Sequence, residues 1–373
     1  MRVLISGGHL TPALALVDFL RKHHANVELI FIGREFARLD QPQEAHERRE
    51  VTSRDVKFIA LHSGKLILNN PIKFIIHSVS IVLAILRAAV ILLKVRPSVF
   101  VSFGSYLAVP IAVAAWFLRI PIITHEQTKT AGTANKIIGF LSEKIAISHP
   151  ESANSFNKQK VVLTGNLIRE QVLKKTQKAP EWFTASPEMN LLYITGGSQG
   201  SEVINAVIGQ SLKHLLKDWV VIHQCGSPSG SRNYVRELEQ SKNHLSARLQ
   251  QRYFIREWVQ ESELSWIYTV CAAAISRAGA NTVEELALRA IPTIFIPLPF
   301  SLNDEQYLNA KTLSDQHQAI LLPQKELTPD ALFNHLEHVR KQTKKFKNNL
   351  ENYSSQSRTA LPKFTQLVLS TAN

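Results

Sequence analysis

The chain of 373 residues is poor in sulfur, with two cysteines and two methionines. Cys225 and Cys271 are too few for a disulfide-stapled scaffold or a cysteine zinc cluster, and they suit a reducing compartment. Asp-x-Asp occurs nowhere, so the motif expected of a metal-held diphosphate is lacking. No long Lys/Arg run, zinc-finger spacing or aromatic RNA-binding motif is present, and nucleic acid is therefore not an expected partner. Short repeats and low-complexity tracts are also lacking. The first apolar run, 3–6, stops at a Gly-Gly turn and is too short for a signal peptide, which reads as a cytoplasmic protein.

What is present is a globular composition. Apolar residues make up 45% and charged residues 20%, which excludes a disordered chain and a polytopic membrane protein. The length suggests two domains. Forty-three Lys+Arg against thirty Asp+Glu give a net charge of +13. That surface suits phosphorylated small molecules or an anionic membrane, or serves solubility alone.

Short β-branched runs alternate with longer helical stretches. Strands are predicted at 3–6, 27–32, 99–103, 120–124 and 144–148, then at 191–195, 219–224, 272–276, 293–296 and 320–322. Most are continuous apolar runs, as parallel strands covered on both faces require. The polar segment 174–190 separates the two series. Together they predict two Rossmann-like, doubly wound α/β domains facing a cleft. From Pro329 the pattern is helical, and it is strongly basic over 340–347.

Segment 74–93 is almost wholly apolar and long enough to span a bilayer. Its polar residues fall on one narrow helical stripe, with Lys73, Ser80, Arg87 and Lys94 seven apart and His77 beside them. An arginine at mid-span costs about 2.5–3.5 kcal/mol in lipid, and a lone span would split the first domain between compartments, so a transmembrane reading is rejected. Two readings stay open: a helix buried against the sheet, or one whose apolar face, with Lys65, Lys73, Lys94 and Arg96, docks on an anionic membrane.

Glycine-rich turns follow several predicted strands. Thr195-Gly196-Gly197-Ser198-Gln199-Gly200 ends one strand and opens a helix, offering amide groups to an anion, with the Ser198 hydroxyl beside them. It is neither a Walker loop nor a G-x-G-x-x-G fingerprint, and a ligand-free strand–helix turn has the same form. Ser276-Arg277-Ala278-Gly279 opens a second helix carrying Glu285, a carboxylate suited to two sugar hydroxyls or simply to the helix dipole. Gln306 and Asn309 share a helix face, where their amides suit a neutral sugar or a plain polar surface. In the N-terminal half, Gly7-Gly8-His9, Phe103-Gly104-Ser105-Tyr106 and His125-Glu126-Gln127 all follow predicted strands. His9 and Glu126 are candidate general bases, or structural loop residues.

In order along nearly the whole chain, these motifs resemble MurG, the family that adds N-acetylglucosamine to undecaprenyl-diphospho-muramoyl-pentapeptide. The matching stretches are Gly7-Gly8-His9 with Pro12-Ala13-Leu14-Ala15, His125-Glu126-Gln127, Gly165-Asn166-Leu167-Ile168-Arg169, Gly196 to Gly200, His223-Gln224-Cys225-Gly226, Arg277 to Glu285, and Gln306 to Ala310. The resemblance implies a GT-B glycosyltransferase fold. An acceptor and membrane-associating domain would occupy 1–165 and a UDP-sugar donor domain 166–349, with a C-terminal helix, 350–373, packing back on the first. Ser198 and Gln199 would contact the donor diphosphate, Glu285 the ribose, and Gln306 and Asn309 the sugar. Ile255 would lie on the uracil-recognition strand, and Arg169 near the diphosphate. Gly7, Gly8, His9, Tyr106, His125 and Gln127 would serve the acceptor.

Several positions depart from the family pattern. The usual Gly-Gly-Thr-Gly-Gly-His loop is shortened here to Ser6-Gly7-Gly8-His9. Ser105 replaces a glycine, Thr128 an asparagine and Leu167 a proline, and Glu305 stands where Gln or His is usual. The expected reaction is inverting transfer of N-acetylglucosamine from UDP-N-acetylglucosamine to the 4-hydroxyl of the polyprenyl-diphosphate-linked muramoyl-peptide (lipid I to lipid II). It would need no metal or cofactor, would use His9 before Glu126 as base, and would take place at the cytoplasmic face of the membrane. The alternatives are a GT-B transferase with a different lipid acceptor, and a non-catalytic UDP-sugar-binding protein.

Overall fold

Two parallel sheets organise the chain, each built from strands apolar on both faces. The computed structural model describes residues 1–38, 41–63, 71–185, 189–197, 199–227, 232–301, 304–351, 353 and 355–372; for 37, 38, 41–44, 46 and 71–78 it describes the backbone alone. Ser198 and Lys65 lie outside the described residues, as do the side chains of Lys73 and His77. The chain divides into two units: Met1–Arg169 with Ser355–Asn373, and Glu170–Ser354.

The strands of the first unit are β1 (Arg2–Gly7), β2 (Glu28–Gly33), β3 (Phe36–Arg38), β4 (Gln41–Glu44), β5 (Lys57–Ala60), β6 (Val99–Phe103), β7 (Ile122–Glu126), β8 (Lys144–Ile147) and β9 (Val161–Leu163). β3 and β4 form a separate antiparallel pair. The other seven run parallel in the order β5-β2-β1-β6-β7-β8-β9. The direction of winding reverses between β1 and β6, which makes a switch-point crevice at their carboxyl ends. Strand alternation sends Val3 and Ile5 to one face, against Leu16, Leu20 and Phe364, and Leu4 to the other, against Ile111 and Leu92. Phe364 belongs to the C-terminal helix Ala360–Thr371, so the end of the chain completes this core.

The second unit contains β10 (Asn190–Thr195), β11 (Trp219–Gln224), β12 (Tyr253–Arg256), β13 (Cys271–Ser276), β14 (Thr293–Phe295) and β15 (Ile320–Leu321). They are parallel in the order β12-β11-β10-β13-β14-β15, with the reversal between β10 and β13. Leu192 and Ile194 pack on the helix Glu202–Asp218, while Tyr193 packs on the opposite face with Leu286 and Phe295.

Several boundaries differ from the sequence reading: the C-terminal helix, expected from 350, starts at Ala360, and two shifts bear on the site. The strand expected at 120–124 is β7, Ile122–Glu126, so His125 and Glu126 stand inside the sheet rather than after it. The helix expected to start near Ser198 begins at Glu202, capped by the Ser201 hydroxyl, which accepts the Ile204 amide. The cap is set by a glycine turn: Gly197 and Gly200 both have positive φ, and the Gly200 amide donates to the Gly197 carbonyl.

The apolar segment forms the helix Pro71–Val95. Ala84, Ala88 and Leu92 point into the core, whereas Val82, Leu86, Val90 and Leu93 are each more than half exposed. Among the described residues no helix is long and apolar enough to cross a membrane.

Candidate active site

In the first unit, three loop ends meet beside the β1/β6 switch point. The His9 amide donates to the Phe103 carbonyl at 3.3 Å. Gly7 and Gly8 permit this approach, because a Cβ on them would lie 2.7 Å from Phe103 Cβ and 2.8 Å from Ser105 Cβ. Gly104 and Ser105 both take positive φ (82° and 85°), turning the chain sharply toward Tyr106, which is half-buried. His9 is half-buried, and its Nδ1 has no hydrogen-bond partner. Burial lowers its pKa, partly opposed by the nearby Glu126 charge, so the imidazole is neutral at pH 7 and able to take a proton.

Glu126 is enclosed and fully engaged. One oxygen accepts the Thr128 amide (2.9 Å) and hydroxyl (2.7 Å); the other accepts Asn135 Nδ2 (2.8 Å) and the Gly132 amide (3.3 Å). These bonds give the carboxylate the work of anchoring the loop after β7. His125, its neighbour, points to the other sheet face, 5.5 Å from the Phe364 ring, with Nε2 3.2 Å from the Gly165 carbonyl. Burial pushes its pKa down to about 4. Gln127 is buried. Asn135, which also accepts the Thr124 hydroxyl, was not singled out from the sequence; nothing in a helix reading marks one asparagine as the hub of a buried network.

The second unit gathers its motifs at the β10/β13 switch point. Thr195 pairs in register with Ser276, so the loops after β10 and β13 leave the sheet side by side. Arg277 ties them: Nη2 donates to the Ser201 hydroxyl (2.7 Å) and to Gln324 Oε1 (2.7 Å), and Nη1 donates to the carbonyls of Ile296 (3.0 Å) and Pro297 (3.1 Å). All four acceptors are neutral, so the guanidinium keeps its charge beside the capped helix start, although burial lowers its pKa to about 10. Gln199 is exposed on the loop. Glu285 is turned inward, 1% exposed, with the Tyr268 hydroxyl 3.5 Å from Oε2. Asn309 donates from Nδ2 to the Ala278 carbonyl (3.2 Å), and Gln306 Oε1 accepts the Leu298 amide (3.0 Å), so both bind the helix Glu305–Ser314 to this loop cluster.

Ile255 sits on the edge strand β12. The carbonyls of Arg252 and Arg256 accept from Val221 and Cys225 of the neighbouring strand, so by alternation Ile255 turns its own amide and carbonyl to the open edge. Beneath the loop, His223 bridges Tyr253 Oη (2.7 Å) and Asn205 Oδ1 (3.0 Å); the Asn205 oxygen can only accept, which places the imidazole proton on Nε2. Arg169, half-buried, ends the first segment of the first unit and is not grouped with the donor candidates of the second.

Two parallel sheets, each with glycine loops at its switch point and one flanked by a capped helix and an enclosed carboxylate, define a two-domain glycosyltransferase of the GT-B class. Residues 6–147 match the glycosyltransferase family 28 N-terminal domain and residues 191–366 its C-terminal domain. A UDP-N-acetylglucosamine–N-acetylmuramyl-(pentapeptide) pyrophosphoryl-undecaprenol N-acetylglucosamine transferase of Clostridium perfringens is 32% identical over 349 residues, 93% of this chain and 91% of that one. A transferase of the same name, numbered 2, from Bacillus thuringiensis subsp. konkukian is 29% identical over 352 residues, 94% of this chain and 93% of that one. The crystal structure of Acinetobacter baumannii MurG shares the fold, with a TM-score of 0.69 at 22% identity over 99% of each chain. The chain belongs to the MurG family.

Proposed function

We propose that this protein transfers N-acetylglucosamine from UDP-N-acetylglucosamine to the 4-hydroxyl of undecaprenyl-diphospho-muramoyl-pentapeptide, with inversion, converting lipid I to lipid II. The observation that carries the reading is the convergence of the loop after β10, Arg277 and Asn309 on one switch point, with Glu285 on the helix that follows the β13 loop. An anion there meets loop amides, a helix start and an unneutralised guanidinium, while an acid and two amides stand by for hydroxyl groups. The outward amide and carbonyl of Ile255 match the acceptor–donor edge of uracil. Glu285 takes the ribose hydroxyls. Gln306 and Asn309 bind the amino sugar through Nε2 and Oδ1, the atoms their structural bonds leave over. Ser198 and Gln199 hold the diphosphate, with Arg169 adding charge.

In the reaction the muramoyl hydroxyl oxygen bonds to the anomeric carbon as the bond to UDP breaks on the opposite face. The His9 imidazole takes the released proton, and the loop amides and Arg277 meet the charge developing on UDP, with no metal required. Gly7, Gly8 and Tyr106 border the acceptor, and His125 and Gln127 stiffen the wall behind it. The helix Pro71–Val95 packs on the helix Ala108–Phe117, and its exposed apolar residues, with exposed Trp116, Phe117 and Phe140 and the cations Arg87, Lys94 and Arg119, suit anionic lipid at the cytoplasmic face of the membrane.

The deciding test is incubation with radiolabelled UDP-N-acetylglucosamine and a short-chain muramoyl-pentapeptide diphosphate lipid. A β(1→4) disaccharide is the expected product. Transfer only to other lipids, or UDP binding without transfer to any, overturns the reading.

A further inference from the structure

Beside β15, on the edge of the second sheet, lies a cavity of about 560 Å³. Its floor is apolar, formed by Ile320, Leu321 and Phe346, and its rim carries His317, His335, His338, Lys345, Asn334 and Gln342. No carboxylate lines it among the described residues. In a protein with thirty acidic side chains, a recess whose polar lining is imidazoles, an ammonium, amides and the Ser314 hydroxyl is a directed arrangement rather than average surface.

Three features hold that rim in place. His317 adopts a left-handed backbone (φ 54°), and its turn is locked by the Asn349 side chain: Nδ2 donates to the His317 carbonyl at 2.9 Å, and the Asn349 carbonyl accepts Gln318 Nε2 at 3.0 Å. His335 and His338, three apart on the helix Pro329–Lys341, share one face, and His338 lies in the last turn. Arg340 is committed to Glu337 at 2.8 Å, whereas Lys345 forms no ion pair among the described residues. Burial and the neighbouring His338 lower the pKa of His335, partly opposed by Glu326, which is not part of the lining. The imidazoles are not gathered closely enough to hold a metal ion.

We propose that this cavity binds a phosphate ester carrying an apolar body, with the phosphate against His338 and Lys345 and the body on Ile320, Leu321 and Phe346. An ammonium and an imidazole supply donors that a phosphate needs, and the apolar floor selects an ester over inorganic phosphate. The site is separate from the β10/β13 loops and does not depend on the reading given for them.

The test is calorimetric titration of the full chain at pH 6.5 with saturating UDP present, so that the donor loops are occupied. The probes are phenyl phosphate and dihexanoyl phosphatidic acid. At least one is expected to bind, with affinity reduced tenfold or more in the His338→Ala/Lys345→Ala double variant, whose altered side chains are exposed and carry no fold. Binding of the lipid alone identifies a headgroup as the source of the phosphate; binding of both identifies a free phosphate ester. The proposal is overturned if neither probe binds, if the double variant binds as the wild type does, or if Glu285→Gln removes the binding.

Discussion

Glu47 shows how one side chain can set the pH dependence of stability. One of its oxygens accepts the Arg34 amide at 3.1 Å, the other has no partner, and burial pushes its pKa up to about 7. Between pH 4.5 and 7 the unfolded chain ionises this group while the native chain keeps its proton, so stability falls as pH rises through that window, by about 3 kcal/mol in all. Glu47→Gln, which keeps the shape and removes the charge, is therefore expected to melt higher than wild type at pH 8 and with it at pH 4.5; equal melting at pH 8 would refute the burial account. His9 carries the complementary prediction for activity. Its lowered pKa keeps the acid limb of kcat/KM below 6.5, and His9→Asn is expected to lose that limb and about 10²–10⁴ in kcat, as loss of a general base does. If the limb persists in the variant, the base is another group. Glu285→Gln should instead act on the donor, raising the KM for UDP-N-acetylglucosamine about tenfold or more, in line with lost bonds to charged groups. An unchanged KM would remove Glu285 from the ribose. Glu126→Gln is expected to lower the melting point before anything else, because its four donors are structural.

At the scale of elements, the strands read most easily from the sequence are those buried on both faces. β6 and β11 have every residue buried and coincide with the apolar runs at 99–103 and 219–224. The strands that the apolar pattern left out are β3, β4, β5, β9 and β12, all of three or four residues; β5, β9 and β12 are sheet edges, β3 and β4 a separate pair, and such short runs carry no period to detect. The donor loop was legible as a glycine turn, but its helix start was not. Ser198 and Ser201 are both good caps by residue type, and the turn between them packs Gly200 against Cys225 and Gly226, residues far from it in sequence. That contact is tight enough to test. A Cβ on Gly200, whose φ is 74°, would lie 2.0 Å from the Cys225 carbonyl oxygen. Gly200→Ala is expected to cost at least ~2 kcal/mol and to abolish UDP binding by calorimetry, where Gly279→Ala, with open space around it, should spare the fold. UDP affinity surviving in Gly200→Ala would mean that the loop holds no diphosphate.

At the scale of the whole molecule, the chain leaves the first unit after Arg169 and re-enters it at Ser355, so the second unit is a continuous insertion and the first is built from two pieces. The returning piece is no ornament. Ala360, Phe364 and Val368 are fully buried against Leu16, Phe103 and Leu167, and the Ser357 hydroxyl accepts the Asn166 amide at 3.0 Å. Fully burying side chains of the size of Val or Phe contributes roughly 1.5–3 kcal/mol each, so losing this helix removes a large part of the margin of an ordinary domain. The C-terminal tail therefore belongs to the stability of the N-terminal half, a link that no local sequence pattern announces, because an amphipathic helix at a chain end gives no sign of its partner. Two truncations separate this account from a tail that merely decorates the surface. A fragment ending at residue 354 is expected to keep the second unit folded and able to bind UDP, while its first unit becomes protease-sensitive and loses the lower-temperature stability of the intact protein. A fragment of residues 170–354 alone should melt cooperatively. If the chain ending at 354 resists proteolysis in its N-terminal half as the full chain does, then Phe364 and Val368 fill space without holding the core together.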